Sequence, residues 1–345
     1  MVDNNVTFKE VRLLSLNFFM RPPLIKNNFS DYKEERLKYF IENVLPIYDI
    51  ICLEEMFEFG STRRQRLLEA AFKAGFEYTW TSPRSTIFNL SIDGGLVIIS
   101  RFPIRSQDNI TYPYGTYSDR LAAKGALYVK IELAEDQFVH LFSTHTQASY
   151  VASPPLSDKS VLVREQQFFL LRQFIDKVIV SRRSHEPIIL VGDLNVNSRP
   201  PPDSSNPSSV KGDSQEYLNM IKILDGEGIH EEGSTVKYSN KKIISVRDMI
   251  KERCGIHPIT FADVLKDDEG KIIPREVVLT SKDDLLAQAS LDYILLIDDD
   301  PNINDSGKIR LDLQRTGVQE FFIKNQPFSQ LSDHYGVSTI LCVNL

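Results

Sequence analysis

At 345 residues, 42% hydrophobic and 25% charged, the chain is long enough to bury a large core, as one large domain or two medium ones. A net charge of -7 argues against a protein that grips nucleic acid mainly by neutralising phosphates, although a local basic groove stays open. Cys52, Cys254 and Cys342 are odd in number and widely spaced, which excludes a disulfide framework and a zinc pattern.

In chain order, short aliphatic and β-branched runs with turn-rich borders read as buried strands. They are Val11 to Phe19, Asp49 to Leu53, Gly95 to Ser100, Ala126 to Leu133, Phe138 to Ser143, Pro187 to Val191, Leu291 to Ile297 and Val337 to Val343. Helical stretches lie between them: Asp31 to Val44, with apolar positions at Tyr32, Leu37, Phe40 and Ile41; Ser61 to Ala74, with Ser61 and Thr62 as caps; and Leu162 to Ser181. Glu135-Asp136 joins two of the strands as a hairpin. Strands outnumber helices, so the expected class is α+β, with sheets packed on each other and helices outside.

No internal repeat is visible, and the polar residues of interest run the whole length, so residues 1–345 read as one domain. The Pro- and Ser-rich stretch at 198–215 directly follows Asp193-Leu194-Asn195 and reads as a mobile surface loop, either a lid or a tolerated insertion. The N-terminus has neither the basic start nor the apolar stretch of a signal peptide, and Val2 stands where myristoylation needs glycine. No apolar run is long enough to span a bilayer. The expectation is a cytoplasmic monomer that at most touches membranes peripherally.

Polar residues end many of the hydrophobic runs: Asn17, Glu55, His145, Asp193 with Asn195, Asp292, and the Ser332-Asp333-His334 turn. Taken singly, each has an ordinary explanation, since an Asn at a strand end is usually a turn residue and a lone His in an apolar strand usually a satisfied core group. Jointly, carboxylates, amides and histidines at strand ends are what a divalent cation and a phosphate ester require.

In this order, Leu16-Asn17, Leu53-Glu54-Glu55, Gly95 to Ile104, Thr144-His145, Gly192-Asp193-Leu194-Asn195, Leu291-Asp292-Tyr293-Ile294 and Ser332-Asp333-His334 resemble the endonuclease/exonuclease/phosphatase superfamily. The resemblance covers about Arg12 to Val343 and implies a four-layered α/β/β/α sandwich. Three details look like the neutral sphingomyelinases: Thr144-His145-Thr146-Gln147-Ala148, the Asp119 to Gly125 segment with Lys124, and Glu55-Met56-Phe57-Glu58. The resemblance therefore implies a phospholipase C-type phosphodiesterase that releases phosphocholine from sphingomyelin or a related phospholipid at a membrane surface. An abasic-site endonuclease or other nuclease of the superfamily is the alternative, and nucleic acid would be a partner only in that case.

For chemistry, the resemblance and the preference of magnesium for hard oxygen ligands assign Mg2+ (or Mn2+) to Glu55, with Asn17 beside it and Asp333 acting through water. Strand alternation turns only one of Glu54 and Glu55 into the site; the family pattern selects Glu55 and leaves Glu54 supporting or exposed. Asp292 is implied to hold the ring of His334, Asp193 to orient or deprotonate water, Asn195 to bond the phosphate, and His145 to serve the leaving oxygen. Whether Asp193 or His334 takes the proton stays open. Lys124 adds charge at the mouth, while Tyr112, Tyr114, Tyr117 and Asp119 are candidates for a choline contact. The segment from Phe18 to Lys26 either contacts lipid or places its phenylalanines in the core and turns on its prolines. The docking hairpin of secreted relatives is apolar, whereas the corresponding stretch here, Asp298 to Lys308, is polar.

Overall fold

The computed structural model describes residues 8–83, 92–113, 115–151, 153–180, 182–183, 185–200, 212–227, 245–298 and 308–345. The strands are β1 (Phe8–Met20), β2 (Ile50–Met56), β3 (Tyr78–Thr81), β4 (Val97–Ser100), β5 (Ile104–Thr111), β6 (Gly125–Ala134), β7 (Gln137–His145), β8 (Ile188–Asp193), β9 (Ser245–Asp248), β10 (Val264–Lys266), β11 (Ile272–Pro274), β12 (Asp292–Asp298), β13 (Ile309–Leu311), β14 (Gly317–Gln319) and β15 (Gly336–Asn344). The α-helices are α1 (Lys33–Tyr39), α2 (Arg63–Lys73), α3 (Lys159–Ile179), α4 (Gln215–Asp225) and α5 (Met249–Cys254).

Two mixed sheets form the middle of the molecule. One has the order β13-β15-β1-β2-β4-β3, with β14 also on β15; the other runs β5-β6-β7-β8-β12-β9. Strands buried on both faces read as continuous apolar runs, and β1 shows why. Val11 and Leu13 face the second sheet, where they join Val129, Leu141, Val191 and Ile294, while Leu14, Leu16 and Phe18 face α1 and α2 and pack on Leu37 and Leu67. On the far side, α3 and α4 lay Phe168, Leu171, Met220 and Ile223 over Phe142, Leu190 and Leu295 of the second sheet. The result is the helix/sheet/sheet/helix sandwich expected of the α+β class.

Local differences from the sequence reading have plain causes. The stretch read as one helix from Asp31 to Val44 begins as α1 at Lys33 and continues as a π-helical turn over Phe40–Val44. Helix α3 starts three residues earlier than its apolar spacing suggested, because the Asp158 side chain caps it at Ser160 N–H (2.8 Å). Helix α4 follows directly on the polar stretch that hid it; Ser214 caps its first turn and Gly226, at φ 88°, closes its last. Of the loop at 198–215, residues 201–211 lie outside the described residues, as do 299–307 of the stretch compared with the docking hairpin. Among the described residues, no helix is long and apolar enough to cross a membrane.

Candidate active site

Side chains alternate along a strand, so a polar residue two positions beyond an inward-facing apolar one extends the same face past the core. On β1 this face runs Leu13, Ser15, Asn17; on β2, Ile50, Cys52, Glu54; on β7, Leu141, Ser143, His145; on β8, Ile189, Val191, Asp193. β12 runs the other way and contributes Asp292 from its start, after which Ile294 and Leu296 return to the core. Register aligns the ends: Asp193 lies opposite His145 on one side and Asp292 on the other. The polar ends of five strands thus meet at one end of the intersheet core.

Both glutamates of the Glu54-Glu55 pair turn towards this region, Glu55 at the site and Glu54 supporting it from beneath, so strict alternation does not hold and Glu54 is not exposed. Glu54 follows the strand and is wholly buried, its Oε1 accepting hydrogen bonds from Ser15 Oγ and Ser143 Oγ, each at 3.2 Å. Burial, with Asp292 and Asp193 adding to it, pushes its carboxyl well above the usual range, and it lies beneath the floor of the site. Glu55 should point to the helix side, but its left-handed backbone (φ 54°) breaks the alternation, and its Oε1 accepts from Asn17 Nδ2 at 3.3 Å. Such a conformation costs a non-glycine residue on the order of 1 kcal/mol or more. Asn195, at φ 51°, stands in the same region.

Asn17 bridges two acids: its Nδ2 also donates to Asp193 Oδ2 (3.0 Å), while its Oδ1 accepts from Phe19 N–H (3.1 Å). Asp193 Oδ1 accepts from Asn195 N–H at 2.9 Å, and Asn195 Nδ2 reaches Thr146 O at 3.1 Å. His334 pairs through Nδ1 with Asp292 Oδ2 at 2.9 Å and sets Nε2 3.8 Å from Asp193 Oδ2. The Phe261 ring lies against His334, with centroids 4.9 Å apart. Burial works against charge on His334, but Asp292 and Asp193 outweigh it and hold the imidazolium well above its ordinary pKa. His145 moves the opposite way, lowered well below its ordinary value by burial and then by the Lys124 ammonium. Burial also raises Asp193, against the pull of His334. The cluster therefore holds one charged and one neutral histidine around a carboxylate.

Lys124 is buried and three-way bonded, at 2.7 Å to Asp119 Oδ2, 2.7 Å to Thr146 O and 3.0 Å to His145 Nε2. Asp119 has its oxygens in use: besides Lys124, Ala148 N–H donates to Oδ2 (2.7 Å) and Tyr150 OH to Oδ1 (3.0 Å). It braces the loop and has little left for a choline group. Tyr112 is buried with its hydroxyl on Thr144 Oγ1 (2.7 Å), away from any headgroup, whereas Tyr117 is exposed and packs edge-on against Tyr150. Tyr114 lies outside the described residues. Thr146, Phe261 and Tyr150 were missed; a lone aromatic in a polar loop carries no periodic signal, and Thr146 acts through its carbonyl.

Asp193, Asp292 and His334 bring ligand-type atoms within 4.8 Å of one another. In that trio the His334 ring is already paired with Asp292 through Nδ1 (2.9 Å) and sits 3.8 Å from Asp193. The hard-ligand corner is elsewhere. Glu55 Oε2 is buried and has no hydrogen-bond partner among the described residues. Asp333 is pushed up to about 7, chiefly by burial and in part by the Glu55 charge. A buried carboxylate, Asp333, and a half-buried one, Glu55, beside an amide fit a hard divalent cation, which would offset the repulsion between them.

This fold and site define a phosphoesterase-type centre, and the chain belongs to the endonuclease/exonuclease/phosphatase family, whose model matches residues 24–334. It is 36% identical over 373 aligned positions to a sphingomyelinase of Dictyostelium discoideum, an alignment that covers 93% of this chain and 76% of that one. It is 29% identical over 188 positions to sphingomyelinase C of Bacillus cereus, covering 51% of this chain and 52% of that one. The fold is shared with beta toxin from Staphylococcus aureus, solved as a double mutant with bound magnesium ions: TM-score 0.59 at 19% identity, covering 96% of this chain and 99% of that one.

Proposed function

We propose that the protein is a magnesium-dependent phosphodiesterase that hydrolyses sphingomyelin, or a closely related choline phospholipid, to ceramide (or a diglyceride-like product) and phosphocholine. The observation that carries the substrate is the 36% identity to a sphingomyelinase across nearly the whole chain. The geometry supports the chemistry.

Magnesium, held by Glu55 with Asp333 and Asn17 alongside, supplies positive charge to the phosphoryl oxygens when bound, and Mn2+ suits the same oxygen donors. The chain's own groups do the rest. Asp193, anchored by Asn17 and the Asn195 N–H, takes a proton from the attacking water, for which its raised pKa suits it. This assignment favours Asp193 over His334 as the base, because His334 is held protonated by Asp292 and so donates a hydrogen bond to a phosphoryl oxygen. Asn195 offers its remaining amide hydrogen to the same group. Attack is in line, opposite the ceramide oxygen.

His145 serves that leaving oxygen. Its Nε2 lies 3.0 Å from Lys124 Nζ and 3.4 Å from Asp193 Oδ2, so this is the ring nitrogen that faces the cluster. As the P–O bond breaks, a proton passes from the His145 ring to the alkoxide and the adjacent Lys124 ammonium replaces it on the ring. Asp119 is a positioning residue that fixes Lys124.

A lipid substrate must be met at an interface. Phe18 and Phe19 are buried, but Leu24 and Phe29, on the same connection out of β1, are each 97% exposed. The loop is tied down by Lys26 Nζ on Phe29 O (2.6 Å), Asn27 Nδ2 on Leu279 O (2.6 Å) and Asn28 Nδ2 on Val278 O (2.7 Å). A loop tied down in this way, presenting two bare apolar side chains on the connection out of β1, suits shallow contact with lipid.

The test offers purified protein with magnesium to sphingomyelin vesicles and to abasic duplex DNA, each with and without chelator. Phosphocholine release that chelator abolishes is the expected result, and cleavage of the DNA alone would overturn the proposal.

A further inference from the structure

The bond between His334 Nδ1 and Asp292 Oδ2 joins chain segments 42 residues apart, the start of β12 and the turn before β15. Strand β9 covers one edge of β12 only from Leu295 to Asp298, so it does not reach the end that carries Asp292. The amides at that end find their acceptor in another connection. Thr260, between α5 and β10, is 1% exposed, and its Oγ1 accepts from Leu291 N–H at 2.9 Å and from Asp292 N–H at 3.2 Å. Its carbonyl oxygen accepts from the N–H of Tyr335, the residue after His334, at 2.7 Å. One buried residue is thus bonded to both sides of the Asp292–His334 contact.

Its neighbour closes the same seam. Phe261 forms antiparallel bridges to Ala289 and to His334, and its ring lies against the imidazole. Ala289 N–H donates to Phe261 O at 3.0 Å, while Ala289 O accepts from the N–H groups of Thr260 (2.9 Å) and Phe261 (3.0 Å). The Thr260-Phe261 segment is therefore a short extended wedge between the chain leading into β12 and the turn that carries His334.

We infer that Thr260 is a positioning residue: through its hydroxyl on one side and its carbonyl on the other, it sets how the Asp292 carboxylate meets the His334 ring. The inference rests on the phosphodiesterase reading for what the pair does, and deepens it by assigning the pair's geometry to a residue outside the cluster. Two buried amides share one oxygen. Without it both N–H groups stand unpaired in the interior, and the backbone shifts until they find other acceptors. The Asp292 carboxylate belongs to the same residue as one of those amides, so the shift passes directly to its contact with His334. The methyl of Thr260 carries no such duty. Valine keeps the shape of threonine and removes the acceptor, whereas serine keeps the acceptor and removes the methyl.

The experiment compares full-length wild type, Thr260→Val and Thr260→Ser by two readouts. The first is proton NMR of histidine-labelled protein without substrate, following the downfield Nδ1 proton bonded to Asp292 and assigned by its loss in His334→Gln. The second is kcat and KM for phosphocholine release from sphingomyelin in mixed micelles with magnesium. Thr260→Val should move that resonance and lower kcat about 10- to 100-fold with KM changed less than about 2-fold, the pattern of a reacting group displaced by up to about 1 Å. Thr260→Ser should keep both the resonance and most of the rate. The inference is overturned if the wild type shows no such proton, if Thr260→Val leaves the resonance or kcat unchanged, or if Thr260→Ser disturbs them as much as Thr260→Val. A resonance moved by Thr260→Val alone, in a protein whose wild type releases no phosphocholine, would leave the hold on the pair standing and remove the hydrolase reading; release by the wild type with an unmoved resonance would do the reverse.

Discussion

Replacing Asp292 by Asn tests whether His334 works as a proton-bearing donor or as a base. The substitution keeps the shape of the contact to His334 Nδ1 (2.9 Å) but removes its charge. A buried, charge-assisted hydrogen bond is worth about 1.5–3 kcal/mol. At about 1.4 kcal/mol per pKa unit, the imidazolium should lose roughly 1–2 units of its elevation. The structure holds His334 charged through Asp292 and Asp193 against the opposing effect of burial, so only part of the support disappears. If protonated His334 stabilises the phosphoryl group, activity is lost as pH rises through its pKa. Asp292→Asn should then move the alkaline limb of the kcat/KM profile down by about 1–2 pH units, while the acid limb, set by Asp193, moves down less, because the Asp292 charge also raises Asp193. The assay is phosphocholine release from sphingomyelin in mixed micelles at saturating magnesium from pH 5 to 10, in roughly half-unit steps. A downward move of the acid limb, with the alkaline limb unchanged, would show His334 acting as the base and refute the assignment.

His145→Gln should cost about 10²–10⁴ in kcat on sphingomyelin, whose alkoxide needs a proton, and far less on p-nitrophenyl phosphocholine, whose leaving group does not; equal losses on both would remove His145 from the leaving-group side. Changing Leu24 and Phe29 together to Ser removes two exposed apolar groups, each worth about 1.5–3 kcal/mol on burial, so sedimentation with sphingomyelin vesicles should weaken about 100-fold or more, and unchanged vesicle binding would rule out the loop as a lipid contact. Far from the site, His140 lies buried between Tyr128 OH (2.9 Å) and Glu186 (2.8 Å), with its pKa lowered by burial. A histidine depressed in the folded state is protonated first in the unfolded chain, so stability should fall as pH drops below about 6.5, and again when pH falls through the lowered pKa of Glu186. Thermal melts of His140→Gln should lose the upper part of that decline; an unchanged onset would show that His140 does not cause it.

The sequence pattern made the strand ends legible because burial on both faces leaves long apolar runs, and a polar residue closing such a run stands out. Asn17, His145, Asp193, Asp292 and the 332–334 turn are visible for that reason, and the structure gathers them at one end of the two sheets. What alternation could not show was Glu55, which enters the site only through a left-handed residue that no periodicity encodes. The role of Asp119 was equally hidden: a carboxylate beside tyrosines looks like a cation site until its partners, Lys124, Ala148 and Tyr150, are seen to fill it. Strand β5 went unread because its IRSQDNIT sequence is that of a polar edge strand, without a buried face. Thr260 and Phe261 sit in a connection between elements, where position depends on tertiary packing and local pattern says little.

Hydrolysis of sphingomyelin vesicles in heavy-oxygen water with magnesium, with both products analysed by mass spectrometry, tests the central claim most directly. Water attack at phosphorus, opposite the ceramide oxygen, predicts one labelled oxygen in the phosphocholine, none in the ceramide, and no product when chelator is present. Label in the ceramide hydroxyl, or release that persists without divalent metal, would contradict the account.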